Sequence, residues 1–200
     1  ARLDHPHIVP VYEVGDGFGF SFFTMKLVEG GTLAERRGQY RDPVAAAEMV
    51  RKLARAVHYA HQHGLIHCDL KPHNVLLDAA GEPLVSDFGL ARLLNRPDSV
   101  SAGVAGTPAY MAPEQARGES GLTTAVDVYA LGCILYELLT GHAPYRGKTP
   151  LEVIRQVIDS EPARPSARVS NVDRDVEAVC LKCLERRPDC LLYTSPSPRD

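Results

Sequence analysis

Between Ala125 and Leu139 the chain reads AVDVYALGCILYELL, and its apolar side chains, Val126, Val128, Leu131, Ile134, Leu135, Leu138 and Leu139, point to every side of a helix. A helix that is apolar all round belongs in the middle of a folded unit, so the rest of the chain has to form a shell around it. Asp127 is the exception, and a carboxylate buried there must accept hydrogen bonds from groups brought to it. Gly132, at mid-helix, predicts a close backbone approach from a neighbour. With 200 residues, 44% of them hydrophobic and 24% charged, there is enough apolar material for one soluble domain built this way.

Chemistry is concentrated in Leu65 to Leu77, LIHCDLKPHNVLL, where Asp69, Lys71 and Asn74 sit between two apolar runs. Polar groups held between buried flanks point to a site. A carboxylate can take a hydroxyl proton, an ammonium can face a phosphate, and an amide oxygen can bind a metal ion, which are the three needs of phosphoryl transfer. A second piece follows at Ser86-Asp87-Phe88-Gly89, directly after the strand-like run Pro83-Leu84-Val85. It places another hard oxygen at a strand end, and its Gly permits a sharp change of direction.

Four segments in order, HCDLKPHN (67 to 74), DFG (87 to 89), GTPAYMAPE (106 to 114) and DVYALG (127 to 132), resemble the signature motifs of protein kinases. The wording is similar to the bacterial eukaryotic-like (Hanks-type) serine/threonine kinases. The resemblance implies an α+β, two-lobed kinase-like fold, truncated, with a mostly helical large lobe and a remnant of the small-lobe sheet. It also implies boundaries: residues 1–25 as small-lobe remnant and 26–189 as hinge and large lobe. In this frame Asp69 accepts the proton and orients the hydroxyl, Lys71 neutralises charge growing on the γ-phosphate, and Asn74 and Asp87 hold Mg²⁺. Thr107 bonds Asp69 and Lys71 and accompanies Ser/Thr substrate choice. Met25 is the gatekeeper, Lys26 to Val28 are the hinge whose backbone binds adenine, and Leu76 packs under the ring. ATP and Mg²⁺ are the implied substrate and cofactor, and Ser/Thr-containing proteins are the implied partners. The alternative is a pseudokinase, a binding scaffold on the same fold.

The N-terminal stretch reads as a hairpin: a turn at His5-Pro6, an apolar strand from Ile8 to Val14 ended by Gly15-Asp16-Gly17, and a second strand from Phe20 to Val28. Thr32 is a candidate N-cap for a short helix after Gly30-Gly31. Pro43 to His63 has one apolar face, Ala46, Val50, Leu53, Val57 and Ala60, and Gly64 stops it. Its His58, His61 and His63 invite a metal reading, but no carboxylate or Cys completes a site in the sequence. Pro150 to Ile158 and Val172 to Glu185 are expected as amphipathic helices. Cys180 and Cys183 form a CxxC inside the second, with no partner pair, so core packing is expected.

Three features depart from the family pattern or lie beyond it. Most kinases of this type carry Arg between the His and Asp of the catalytic loop, and that Arg receives an activation-loop phosphate; this chain has Cys68, so activity is expected not to depend on phosphorylation through that pocket. The activation segment, Asp87 to Glu114, contains Ser99 and Ser101 as phosphosite candidates, and Glu114 is expected in a buried salt bridge with an Arg near the end of the domain. The tail, Cys190 to Asp200, CLLYTSPSPRD, is the translation of a sequencing-library transposon adapter, so residues 190–200 are expected to be read-through, or else a disordered Ser/Pro-rich tail.

The Gly-rich phosphate loop, the strand Lys and its helix Glu partner do not occur in this sequence, nor does a GxxxxGK[ST] loop. The chain is therefore expected to be a fragment, inactive or nearly so by itself. A net charge of −3 gives no support for nucleic acid or an anionic membrane as partner. Five Cys without a scaffold pattern, no signal peptide and no long apolar run lead to the expectation of a cytoplasmic setting, with any membrane anchor in segments not present.

Overall fold

In the computed structural model, which describes residues 3–17, 20–88 and 108–187, the chain opens with an antiparallel hairpin of β1 (Val11–Gly17) and β2 (Phe20–Met25). The hairpin is as expected, but its first strand starts and ends three residues later. Ile8 and Val9 are buried elsewhere: Val9 N–H donates to Val85 O at 2.9 Å and Val85 N–H to His7 O at 2.9 Å. Pro10 then ends that pairing, since it has no N–H to give. Gly15 to Gly17, expected to end the strand, run on inside it, paired with Phe22 to Phe20. The second strand stops at Met25, short of Val28, after a last bond from Lys26 N–H to Pro10 O at 3.0 Å.

Two short elements lead into the helical body. Gly30 packs so tightly on the backbone carbonyls of Leu77 and Asp78 that no side chain fits, and Gly31 takes φ 79°. They turn the chain into α1 (Leu33–Arg36), where Thr32 is the N-cap: its Oγ1 accepts from Glu35 N–H, and Glu35 Oε2 accepts from Thr32 N–H at 2.8 Å. Next comes α2 (Pro43–Gln62), capped by Asp42 and stopped by Gly64 at φ 75°. Its buried face is Ala46, Met49, Leu53, Ala56, Val57 and Ala60. Val50, expected there, is half-buried, because the stripe is set by where the central helix lies and is rotated toward Met49.

A two-stranded ladder, β3 (Val75–Leu77) with β4 (Pro83–Val85), pairs Val75 with Val85 and lies against α2. After the short α3 (Pro113–Ala116) comes α4 (Ala125–Thr140), the expected central helix. Nearly all its side chains are buried, Tyr129, Ile134, Tyr136 and Leu138 at 1% exposure or less, and Gly141 closes it at φ 86°. Two helices complete the body, α5 (Pro150–Asp159) and α6 (Arg174–Cys183), the second shorter at both ends than the sequence implies.

Packing explains the small residues. A Cβ on Gly132 would stand 2.7 Å from Cys183 Cβ, so the glycine lets α6 lie on α4. Cys180 is fully buried with its Sγ 3.6 Å from Gly132 O, and the four cysteines among the described residues are unbridged. Burial pushes the Cys133, Cys180 and Cys183 thiols up, which makes them inert packing groups. No helix among the described residues is long and apolar enough to cross a membrane.

Candidate active site

The ladder of β3 and β4 fixes the site, because Val75 opposite Val85 brings Asn74 and Asp87 to the same end of the two strands. Ser86 N–H donates to Asn74 O at 2.9 Å, and Ser86 Oγ lies 3.1 Å from both Asn74 O and Asp87 Oδ2, its one proton serving either acceptor. On the other flank Asn74 Nδ2 donates to Asp69 O at 2.8 Å and to Asp69 Oδ2 at 3.2 Å. Lys71 Nζ donates to Asp69 Oδ2 at 2.6 Å. Asp69, Lys71, Asn74 and Asp87 are thus one connected group. Asp69 and Asp87 remain exposed, whereas Asn74 is buried.

The Asn74 side-chain oxygen receives no hydrogen bond among the described residues, and Asp87 stands at φ 62° with its carboxylate at the surface. A neutral oxygen and a carboxylate at one ladder end are a donor set for a hard divalent cation that keeps its other positions for water and phosphate oxygens. The residues present therefore fit Mg²⁺.

What holds this loop in place is buried beneath it. Asp127, 0% exposed at the start of α4, accepts from His67 N–H at 2.8 Å, from Cys68 N–H at 2.9 Å and from His61 Nε2 at 2.7 Å. The buried carboxylate thus has the hydrogen-bond donors that its burial requires. Cys68 sits at φ 64°, and its peptide is gripped from both sides, since Gln115 Nε2 donates to Cys68 O at 2.8 Å. The buried His67 ring spans the two halves of the site: Nδ1 accepts Asp69 N–H at 3.3 Å, so Nε2 carries the proton given to Ser86 O at 2.9 Å. Phe88 packs on the same ring, centroids 4.8 Å apart.

After β2 the chain continues through Lys26 to Val28. Lys26 N–H is occupied by Pro10 O, which leaves Lys26 C=O and the Val28 peptide N–H without hydrogen-bond partners among the described residues. Leu76, in β3, is half-buried and bridged to Thr32, and Met25 is 39% exposed at the end of β2. Thr107, Ser99 and Ser101 lie outside the described residues.

The protein kinase domain family model matches residues 1–190. The serine/threonine-protein kinase PknB of Mycobacterium leprae is 38% identical over 100% of this chain and 33% of its own length. PknB of Mycolicibacterium smegmatis is 40% identical over 100% of the chain and 33% of its length, and PkaA of Streptomyces coelicolor 41% over 94% and 35%. The chain belongs to the protein kinase domain family. It spans about a third of the length of these relatives.

Within this kinase domain, three structural groups were not evident from sequence. His61, weighed only as a metal ligand, closes the hydrogen-bond shell of Asp127; its neighbour His63 turns to Tyr59 O at 2.8 Å. Gln115 and Ser86 pin the catalytic loop and the strand end. A signal existed for His61, a polar side chain on the inner side of an amphipathic helix close to an otherwise unexplained buried Asp. Glu114 is buried as expected, and burial holds its carboxyl above the usual range. No cation pairs with it among the described residues.

Proposed function

We propose that the protein containing this kinase domain transfers the γ-phosphate of ATP to Ser or Thr hydroxyls of proteins. The observation that carries this reading is the connected set Asp69–Lys71–Asn74, joined through Ser86 to Asp87. Asp69 orients the acceptor hydroxyl and takes its proton as the phosphoryl group moves; positioning supplies most of the effect, so no unusual basicity is needed. Lys71, whose Nζ stands on Asp69 Oδ2, neutralises the charge growing on the γ-phosphate. Asn74 Oδ1 and Asp87 would hold Mg²⁺, whose charge would offset that of the phosphates. Adenine is received by backbone C=O and N–H groups of Lys26 to Val28, with Met25 as gatekeeper and Leu76 beneath the ring. Thr107, outside the described residues, is assigned the Ser/Thr acceptor choice that goes with a Thr at this place in the GTPAYMAPE segment. A catalytically silent scaffold is the weaker reading, since Asp69, Asn74 and Asp87 are all present.

The test is transfer of labelled phosphate from Mg-ATP to a Ser-containing peptide by the full-length protein. Asp69→Asn is expected to lower kcat about 10² to 10⁴-fold with ATP binding retained. Full-length protein without transfer, or an Asp69→Asn variant as fast as the parent, would overturn the assignment.

A further inference from the structure

Residues 5 to 9 lead into the N-terminal hairpin and are fastened to the ladder whose end carries Asp87, and two histidines hold them there. His7 Nδ1 lies 2.9 Å from Pro83 O, so this nitrogen carries the proton and donates. Val9 N–H donates to Val85 O and Val85 N–H to His7 O, which ties the segment to β4. His5 is used the other way round. Its Nδ1 accepts the His7 N–H at 3.1 Å, closing the turn at Pro6 together with a bond from Ile8 N–H to His5 O at 3.1 Å. The half-buried His5 ring also leans on α2, with its centroid 5.2 Å from that of Tyr59.

The two rings differ in what a proton does to them. A charged imidazole has two N–H donors and no acceptor. His7 keeps its bond to Pro83 O when charged, because Nδ1 is already the donor. His5 does not: a proton on its Nδ1 faces the His7 N–H, donor against donor, and the bond is lost. The surroundings favour the neutral ring as well. His7 faces it from its own segment, centroids 5.8 Å apart, and Tyr59 from α2, with His63 stacked behind Tyr59 at 4.3 Å. No residue of β4 (Pro83–Val85) has a titratable side chain, and the exposed Asp4 makes no ion pair among the described residues. Burial, and then His7, hold the His5 imidazole below its ordinary 6.5.

We propose that His5 is the acid-sensitive catch of a clasp between the N-terminal hairpin and the ladder that carries Asp87, closed while the ring is neutral and opened by its protonation. An open segment, with His5 at its ordinary 6.5, binds a proton before the closed one does, so closure is complete above that value and weakens as pH falls through it. Hairpin and ladder lead to the two sides of the nucleotide site, Lys26 to Val28 and Asp87. On the kinase reading above, on which this consequence rests, acid therefore loosens the hold on Mg-ATP.

The experiment is hydrogen exchange of the full-length protein at about pH 7.5 and about pH 5.5, either side of the imidazole range, corrected for the intrinsic rate at each pH. Segments containing Val9 and Val85 are followed, with α4 as internal reference. Their protection is expected to fall about fivefold to tenfold in acid relative to α4, the effect of one hydrogen bond. His5→Asn offers an Oδ1 that accepts the His7 N–H and takes no proton, and is expected to keep the change below about twofold. Equal protection of the parent at both pH values, or the same fall in His5→Asn, overturns the proposal. Where His5→Asn is loose at both pH values the parent decides: its fall has to track the NMR titration of the His5 ring, and a midpoint elsewhere overturns the clasp. The KM for Mg-ATP is expected to rise in acid in the parent relative to His5→Asn, and a clasp that opens without this rise overturns its link to the nucleotide. If no phosphate is transferred at either pH the kinase reading fails, and exchange alone then decides the clasp.

Discussion

Replacing Asp127 with Ala removes an acceptor shared by three donors, two of them backbone N–H groups of the catalytic loop. His67 is 2% exposed, so its N–H loses its only acceptor where water does not reach, at about 1–3 kcal/mol. The Cys68 N–H and the His61 ring are partly solvated and add about 1 kcal/mol each. The sum, about 3–5 kcal/mol, is the range found when one partner of a buried charged network is deleted. Against a typical domain stability of about 5–15 kcal/mol this is a large share. Asp127→Asn is expected to lose about half as much, because one amide oxygen still accepts while the NH₂ group confronts the second N–H. Urea unfolding followed by circular dichroism measures both, with an unchanged m-value required for the comparison. A second consequence is kinetic. Cys68 is held at φ 64° by Asp127 below and Gln115 above, so losing the clamp lets the peptide relax and misplaces Asp69. At urea-free temperatures where the Asp127→Asn variant is still folded, its kcat should fall while ATP affinity holds. An Asp127→Ala protein destabilised by less than about 1 kcal/mol would refute the reasoning.

Gly132→Ala forces a Cβ to within 2.7 Å of Cys183 Cβ and 3.2 Å of Leu184 Cδ2, and is expected to lower stability by about 1–3 kcal/mol in thermal unfolding, with α6 lifted from α4. Burial raises the Glu114 carboxyl above its ordinary 4.5, so its protonated form favours the folded state; that contribution is complete below the unfolded value and is lost as pH rises through the native one. Glu114→Gln, which mimics the protonated group, should therefore match the parent in acid and become the more stable protein toward neutral pH, and a pH-independent gap between the two would contradict this. Cys68 offers no cation to an activation-loop phosphate, so phosphatase treatment of the full-length protein should leave activity intact; loss of activity restored by rephosphorylation would show the opposite.

Much of this was legible in the sequence because it is local or periodic. The Ala125–Leu139 run, the helix starting at Pro43, the Thr32 N-cap and the Asp69–Asn74 loop each follow from side chains a few residues apart, and the buried Asp127 followed from its being the one charge at the start of an apolar helix. The motif order carried the family, which the comparisons bear out. Strand limits were less legible: Ile8 and Val9 have the pattern of a hairpin strand, yet Val85, far along the chain, takes their hydrogen bonds.

By itself, then, the amino-acid order determined where the long helices run, that the Ala125–Leu139 helix is buried and which polar groups belong to one loop, since these depend on propensity and on spacing along the chain. Only the tertiary structure decided that His61 and Gln115 hold the catalytic loop, that the inner face of α2 turns toward Met49, and that the His5 ring leans on Tyr59. Those depend on how elements distant in sequence are packed, and no periodicity records which side chain meets which across that distance.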